Sequence, residues 1–167
     1  SVSLYRYANI DDYDKAFASL TLAPTVGIWQ PQLTFSVQKQ WYTADTPDGK
    51  ADFNRPLGSF QWQNTIRFSK TFNIGVNASF QTKGHTGNTH MDKTNCIVSF
   101  SAYKSFFKGR FITQLFAYDL LQTGGTYLTM YNGGRTMKWE MKPNRSVRLT
   151  LRYVFNSAKS KYKGTGA

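Results

Sequence analysis

Residues 71–81 read TFNIGVNASFQ, and this stretch decides the fold. Phe72, Ile74, Val76, Ala78 and Phe80 alternate with Thr71, Asn73, Gly75, Asn77, Ser79 and Gln81. Neighbouring side chains of a strand point to opposite faces, whereas a helix would need apolar residues three and four apart. The segment is a strand with an apolar face and an uncharged polar one. Just before it, SFQWQNTIRFS (59–69) sets Phe60, Trp62, Ile66 and Phe68 on one face, with Asn64 the only break. Gln61, Gln63, Thr65 and Arg67 take the other face. Lys70 and its neighbours read as a tight turn, so the two runs predict a hairpin.

The same signal returns in SVRLTLRYVF (146–155). Val147, Leu149, Leu151, Tyr153 and Phe155 stand against Ser146, Arg148, Thr150 and Arg152. LTFSVQKQWY (33–42) alternates with Lys39 interrupting its apolar side, and NCIVSFSAYKSF alternates through Cys96, Val98, Phe100 and Ala102. RFITQLFAYDLL is mixed. SVSLYRYANI at the start reads as strand, and so does SLTLAPTVGIW, where Pro24 implies a bulge or an edge. TYLTMYNGGRTMKWEM fits one tall strand with a bulge at Asn132–Gly134, or a hairpin closed by Asn132–Gly133. Three stretches predict longer loops: the region around Asp11–Lys15, TADTPDGKADFNRP and KGHTGNTHMDKTN. The expectation is an all-β fold of about eight or nine antiparallel up-and-down strands over residues 1–155. A basic tail without periodicity, NSAKSKYKGTGA, occupies residues 156–167.

The polar face separates a membrane sheet from a soluble one. It is Asn, Gln, Ser and Thr with occasional Arg, where a water-facing sheet would carry Lys, Glu and Asp; this suits the lumen of an outer-membrane barrel. Strands of about ten residues cross the hydrocarbon core when tilted. Composition agrees: 13 Phe, 10 Tyr and 4 Trp accompany only 18% charged residues. Trp29, Trp41, Tyr42, Phe106, Phe107, Trp139 and Tyr153 lie near strand ends, as aromatic girdles do. Phe60, Trp62, Ile66, Phe68, Phe72, Ile74, Val76, Phe80, Val147, Leu149 and Leu151 are therefore expected to face lipid. A small soluble ligand-binding β-domain remains the alternative.

The net charge of +12 admits nucleic-acid binding as one reading. Its Lys and Arg are spread over strands, turns and tail, so lumen-, headgroup- and tail-facing charge is preferred and no nucleic-acid partner is expected. No catalytic constellation is visible, and enzymatic activity is not expected. His85 and His90 would need a third donor held in geometry to bind a metal, and the loop offers only Asp92 and Asn88, so a solvated glycine-rich loop is the preferred reading. Cys96 alternates with Val98 and Phe100, as a small apolar strand residue does. Asp11, Asp12 and Asp14 lack calcium-loop spacing, and TGGTYL and YNGGR lack a phosphate-binding context. No cofactor or metal is expected.

RSVRLTLRYVFNSAKSKYKGTGA resembles the C-terminal end of Bacteroidetes outer-membrane β-barrel proteins of the TonB-dependent receptor type. There the last strand closes on Tyr-x-Phe, here Tyr153-Val154-Phe155, followed by Asn and a short basic tail. KSFFKGRFITQLFAYDLLQT, with Asp119-Leu120-Leu121, is similar to the family's strand pair before a turn, and VGIWQPQLTFSVQKQW and QTKGHTGNTHM look like family segments. The resemblance implies a plugged barrel of about twenty-two strands that imports nutrients in the outer membrane. It implies that this chain is a partial barrel: a C-terminal wall without plug or coupling box. Its partners would be outer-membrane lipid and the remaining strands or another chain, with the inner-membrane energy-coupling complex reached only through other parts. A small complete barrel with a structural or adhesive role is the alternative. Tyr153 and Phe155 are expected to serve as an assembly signal gripped by the insertion machinery, with ordinary girdle aromatics as the other reading.

Overall fold

A computed structural model describes residues 13–155. Twelve strands occur among them: β1 (Tyr13–Leu22), β2 (Trp29–Thr46), β3 (Gly49–Asp52), β4 (Leu57–Ser69), β5 (Phe72–Gln81), β6 (Gly84–Thr86), β7 (Thr89–Met91), β8 (Asn95–Phe106), β9 (Phe111–Tyr118), β10 (Thr126–Asn132), β11 (Arg135–Met141) and β12 (Ser146–Tyr153). A single 3-10 turn, Phe107–Gly109, links β8 to β9. All pairings are antiparallel. The wall is a sheet in the order β1-β2-β4-β5-β8-β9-β12, with β3 paired to the far end of β2. A second sheet, β11-β10-β7-β6, is built from the connections.

Register shows why the wall forms. Residues directly opposite in an antiparallel pair share a face. Leu33, Trp62 and Ala78 lie in one such row, continued by Val98. Ile74, Ala102, Leu115 and Leu149 form another. One face is thus apolar from β1 to β12. Slipping any strand by one residue would turn its apolar set onto the polar side, so the pattern fixes the pairing. Asn64, the break on the apolar face, is buried and accepts a hydrogen bond from Trp29 Nε1. The polar atom is satisfied where water is not available.

Among the described residues, no packed core lies behind the apolar face. The buried apolar residues among those described are Phe53, Leu57 and Ala117. Meanwhile Leu149 and Leu151 are each 59% exposed and Val147 is 68% exposed. At about 25 cal/mol per Å² of apolar surface, a face of this kind is stable only against an apolar medium.

The hairpin across Lys70–Thr71 forms as the alternation predicts, with a bulge between Arg67 and Ser69 that stacks Phe68 on Phe72 at 5.0 Å. Other expectations need correction. Twelve strands replace eight or nine, because TADTPDGKADFNRP and KGHTGNTHMDKTN, predicted as loops, fold into the β2–β3 and β6–β7 hairpins. SLTLAPTVGIW is not one strand: β1 stops at Leu22, before Pro24, and β2 starts at Trp29. Asp14 and Lys15 lie in β1 rather than in a loop. TYLTMYNGGRTMKWEM is a hairpin turning at Gly133–Gly134, not a tall bulged strand. Residues 1–12, including SVSLYRYANI, Asp11 and Asp12, and the tail 156–167 lie outside the described residues. Within them, β12 pairs only with β9 and β1 only with β2, so the sheet is not closed.

Chain direction sorts the connections by end. The links β1–β2, β4–β5 and β8–β9 sit at one end and are short. At the other end lie three long excursions, 43–56, 82–94 and 119–145, which carry β3, β6, β7, β10 and β11.

Candidate functional site

The polar face of the wall presents Gln32, Gln63 and Asn77 in one row and Ser36 with Ser59 in another. The Ser36 and Ser59 hydroxyls are hydrogen-bonded at 2.6 Å. A depression of about 650 Å³ lies on this face, lined by Gln61, Gln63, Thr65, Asn77, Ser79 and Ser99 among others. Its lining carries no charge, which suits hydrated neutral solutes. Toward β9 the face changes: Ile112, Phe116 and Tyr118 project there, opposite Phe111 and Leu115 on the apolar side. This is why RFITQLFAYDLL reads as mixed.

The second sheet folds in over the polar face at the long-loop end, held by Gln40. That side chain is 1% exposed. Its Nε2 donates to Phe53 O at 2.8 Å and to Gly87 O at 2.7 Å, while Gly87 N donates to its Oε1 at 2.7 Å. Gly87 turns the β6–β7 hairpin at φ +54°, a region that favours glycine. Gly84 approaches the 56–57 backbone so closely that a Cβ would meet Pro56 O at 2.4 Å. Phe53 packs beneath, with the rings of His85 at 5.1 Å and Tyr131 at 5.3 Å.

His85 and His90 face one another across β6–β7, their centroids 4.8 Å apart. Arg55 N donates to His85 Nδ1 at 3.1 Å. Burial, then the neighbouring His90 and Arg55, push the His85 pKa below its ordinary 6.5. His90 Nε2 lies 3.8 Å from Asp92 Oδ1, and Thr129 Oγ1 donates to Asp92 Oδ2 at 2.8 Å. Among the described residues, no group of three His, Cys, Asp or Glu is placed to hold a metal. Asp119 is fully buried at φ 51°, and its carboxylate accepts from Thr123 N and Gly124 N, closing the loop after β9. The sequence shows Asp119 only as part of a turn, and Gln40 only as one polar-side residue of the alternating run 33–42.

Each residue expected to face lipid lies on the apolar face. Phe60, Trp62 and Ile66 of β4 oppose Phe80, Ala78 and Ile74 of β5, and Val76 follows the same parity. Phe72 opposes Lys104, and Phe68 stacks on Phe72. Val147, Leu149 and Leu151 oppose Ala117, Leu115 and Thr113. Cys96 opposes Phe80 on this face. Tyr153 ends β12 opposite Phe111, and the Phe155 ring meets Tyr153 edge-on at 4.5 Å. The girdle expectation needs two corrections. Tyr42 lies on the polar face opposite Tyr13, and Trp139 lies in β11 of the loop sheet rather than in the wall. At the short-turn end a row of rings forms from Phe106 through Phe111 to Tyr153, with Lys104 Nζ reaching both the Phe72 and the Phe106 ring.

Charge divides between the two ends. Every described carboxylate lies toward the long loops: Asp14 at the start of β1, Asp45, Asp48 and Asp52 in the first excursion, Asp92 in the second, Asp119 and Glu140 in the third. The short-turn end carries Arg67, Lys70, Lys104, Lys108, Arg110 and Arg152, and no described carboxylate.

No curated protein and no solved structure shows a significant match to the chain. A family model does match, described as the outer membrane protein beta-barrel family, and it covers residues 1–153. The two-faced wall, its unpacked apolar side and that match place the protein in the outer membrane, and the chain belongs to the outer membrane protein beta-barrel family.

Proposed function

We propose that the chain is the C-terminal wall of a TonB-dependent-receptor-like protein that takes part in nutrient uptake, with no enzymatic step of its own. The observation that carries this reading is the position of the two edges. β1 and β12 stand at opposite ends of the sheet order. At roughly 4.8 Å per strand spacing they are some 29 Å apart along the wall. Backbone groups left unpaired against hydrocarbon cost several kcal/mol each, so further strands, from this protein or another chain, complete the barrel. A barrel made wide in this way keeps a hydrated or plugged lumen. The neutral amide and hydroxyl lining, roofed by the loop sheet, supports solute passage. Coupling to an inner-membrane energy source would run through other parts of the receptor.

The test is growth on a panel of scarce nutrients. Cells lacking the full-length protein should fail on at least one nutrient, and loss of the energy-coupling complex should reproduce that failure. Equal growth on every nutrient would sink the uptake reading and leave the barrel untouched.

Bacterial barrels keep short turns on the periplasmic side and long loops outside. On that rule the Lys70 and Phe107–Gly109 turns face the periplasm. In a Cys96→Ala background, Lys50→Cys should react with a membrane-impermeant thiol reagent on intact cells and Lys70→Cys should not. The reverse pattern would invert the orientation.

A further inference from the structure

We propose that the outer side of the short-turn rim is a binding site for the phosphate headgroups of anionic phospholipids. Lys104 gives the first reason. Its Cα opposes Phe72, which puts it on the apolar face. Its Nζ lies 5.1 Å from the Phe72 ring and 5.7 Å from the Phe106 ring. An ammonium at this place stands where rings meet headgroups, since aromatic side chains mark the membrane interface and lysine reaches toward it.

The second reason is the turn beside it. Phe107 and Lys108 both take left-handed φ values, 52° and 55°. Such backbone is strained for residues other than glycine and persists where the surrounding structure holds it for a use. It thrusts out the Phe107 ring, 72% exposed, next to the Lys108 and Arg110 side chains. A ring offered to water gains nothing, whereas a ring set into the acyl–headgroup boundary beside cations is an anchor.

The third reason is the charge division. Lys70, Lys104, Lys108 and Arg110 have no salt-bridge partner among the described residues, and no described carboxylate shares their end. Cations that neutralise one another's neighbours would be interleaved with Asp or Glu, as they are at the long-loop end. Lys104 on the apolar face and Lys108 and Arg110 in and beside the turn complement anionic lipid at headgroup level, with near-surface Lys and Arg adding roughly equal increments, while Lys70 borders the lumenal side with Arg67 and Asn73. The site rests on the membrane reading. The orientation proposed above decides only which leaflet supplies the lipid.

The test uses the purified full-length protein in nanodiscs of phosphatidylcholine doped with phosphatidylglycerol. Lipids retained on release into detergent are counted by native mass spectrometry. The wild type should retain phosphatidylglycerol over phosphatidylcholine by at least about tenfold. The variant Lys104→Gln/Lys108→Gln/Arg110→Gln should lose that preference, while Lys50→Gln/Lys93→Gln at the long loops should keep it. A wild type without preference, or a rim variant that keeps it, would overturn the site. Heat-modifiable mobility of each variant reports barrel folding, so a misfolded rim variant is replaced by the Lys104→Gln/Lys108→Gln pair under the same criterion. The orientation labelling with Lys70→Cys is a separate readout, so an inverted barrel and an absent lipid site give different results.

Discussion

The wall and the loop sheet are both antiparallel β-structure, yet they are held by opposite means. In the wall, Val76 opposes Asn64 and Phe100 across β4, β5 and β8, and the whole apolar face depends on the medium outside it. In the loop sheet, Gln40, Asp119 and the Phe53 ring do the holding through buried polar contacts and a small apolar contact set. The wall tolerates exposure because hydrocarbon takes the place of a core. The loop sheet stands in water and must satisfy its own polar groups. Substitutions that respect one rule should break the other region.

The largest effect is expected at the wall's centre. A charged side chain near the bilayer midplane of a barrel's lipid face costs on the order of 2–4 kcal/mol, and the polar face has no such penalty. Val76→Arg should therefore block assembly into the outer membrane, and Asn77→Arg should be tolerated. The measurement is heat-modifiable mobility of the protein in outer-membrane fractions. Equal tolerance at both positions would refute the assignment of the two faces.

Phe155 tests whether the wall's last strand does more than pack. It is 82% exposed, and its aromatic neighbour is Tyr153. Burial this slight puts its packing loss well below the roughly 3–5 kcal/mol of a buried Phe→Ala change. If it is an assembly signal, Phe155→Ala in the full-length protein should nearly abolish insertion in cells while refolding in detergent survives. Parallel losses in the two assays would reduce Phe155 to ordinary wall.

Much of the wall was legible in the sequence because both faces keep one character for many residues. TFNIGVNASFQ could be nothing else, and its partner rows follow from it. The upper part of β2 and all of β3 were not legible. Thr43–Thr46 and Gly49–Asp52 carry no apolar alternation, and they are strands because the wall delivers them in register. A hairpin with water on both faces writes no period-two signal. The loop-sheet contacts were hidden for another reason. Gln40 looks like one more lumen residue after Gln38, and its partner Gly87 lies 47 positions away in sequence. Lys104 was likewise visible only as the residue after Tyr103; the register placed it among the rings. The paired histidines were close in sequence, but their edge-to-face contact needed the β6–β7 turn.

Removing the latch should separate the two regions. Gln40→Ala leaves Phe53 O, Gly87 O and Gly87 N without their partner. Unsatisfied buried groups cost about 1–3 kcal/mol each, and water entering the opened site relieves part of this, so a local loss of about 2–3 kcal/mol is expected. Amide exchange should rise at Gly87 and Thr89 while amides of Ile74–Phe80 stay protected. Exchange that rises in both regions would show that the loop sheet and the wall are one cooperative unit.

The smallest effect is a pH dependence confined to the loop sheet. In the closed hairpin, burial and the charges of His90 and Arg55 hold the His85 pKa below 6.5, and Asp92 faces His90 rather than His85. In the opened hairpin His85 returns to about 6.5. The open state therefore binds more protons in the window between the two values, and stability rises with pH across it. Above about pH 6.5 both states are neutral at His85 and this contribution is flat. Below it, each step down in pH favours opening until the closed-state pKa is passed. Because His85 is only partly buried, solvent screens much of the effect, and it should stay smaller than that of Gln40→Ala. The measurement is amide exchange at Thr86 and Asn88 between pH 7.5 and 5.5, corrected for intrinsic rates. Opening should increase toward the acid end in the wild type, and His85→Gln should remove the slope. A slope that survives His85→Gln would show that His85 is not its source. The same slope in amides of β5 would mean that acid loosens the wall as well, and the division between the two regions would fail.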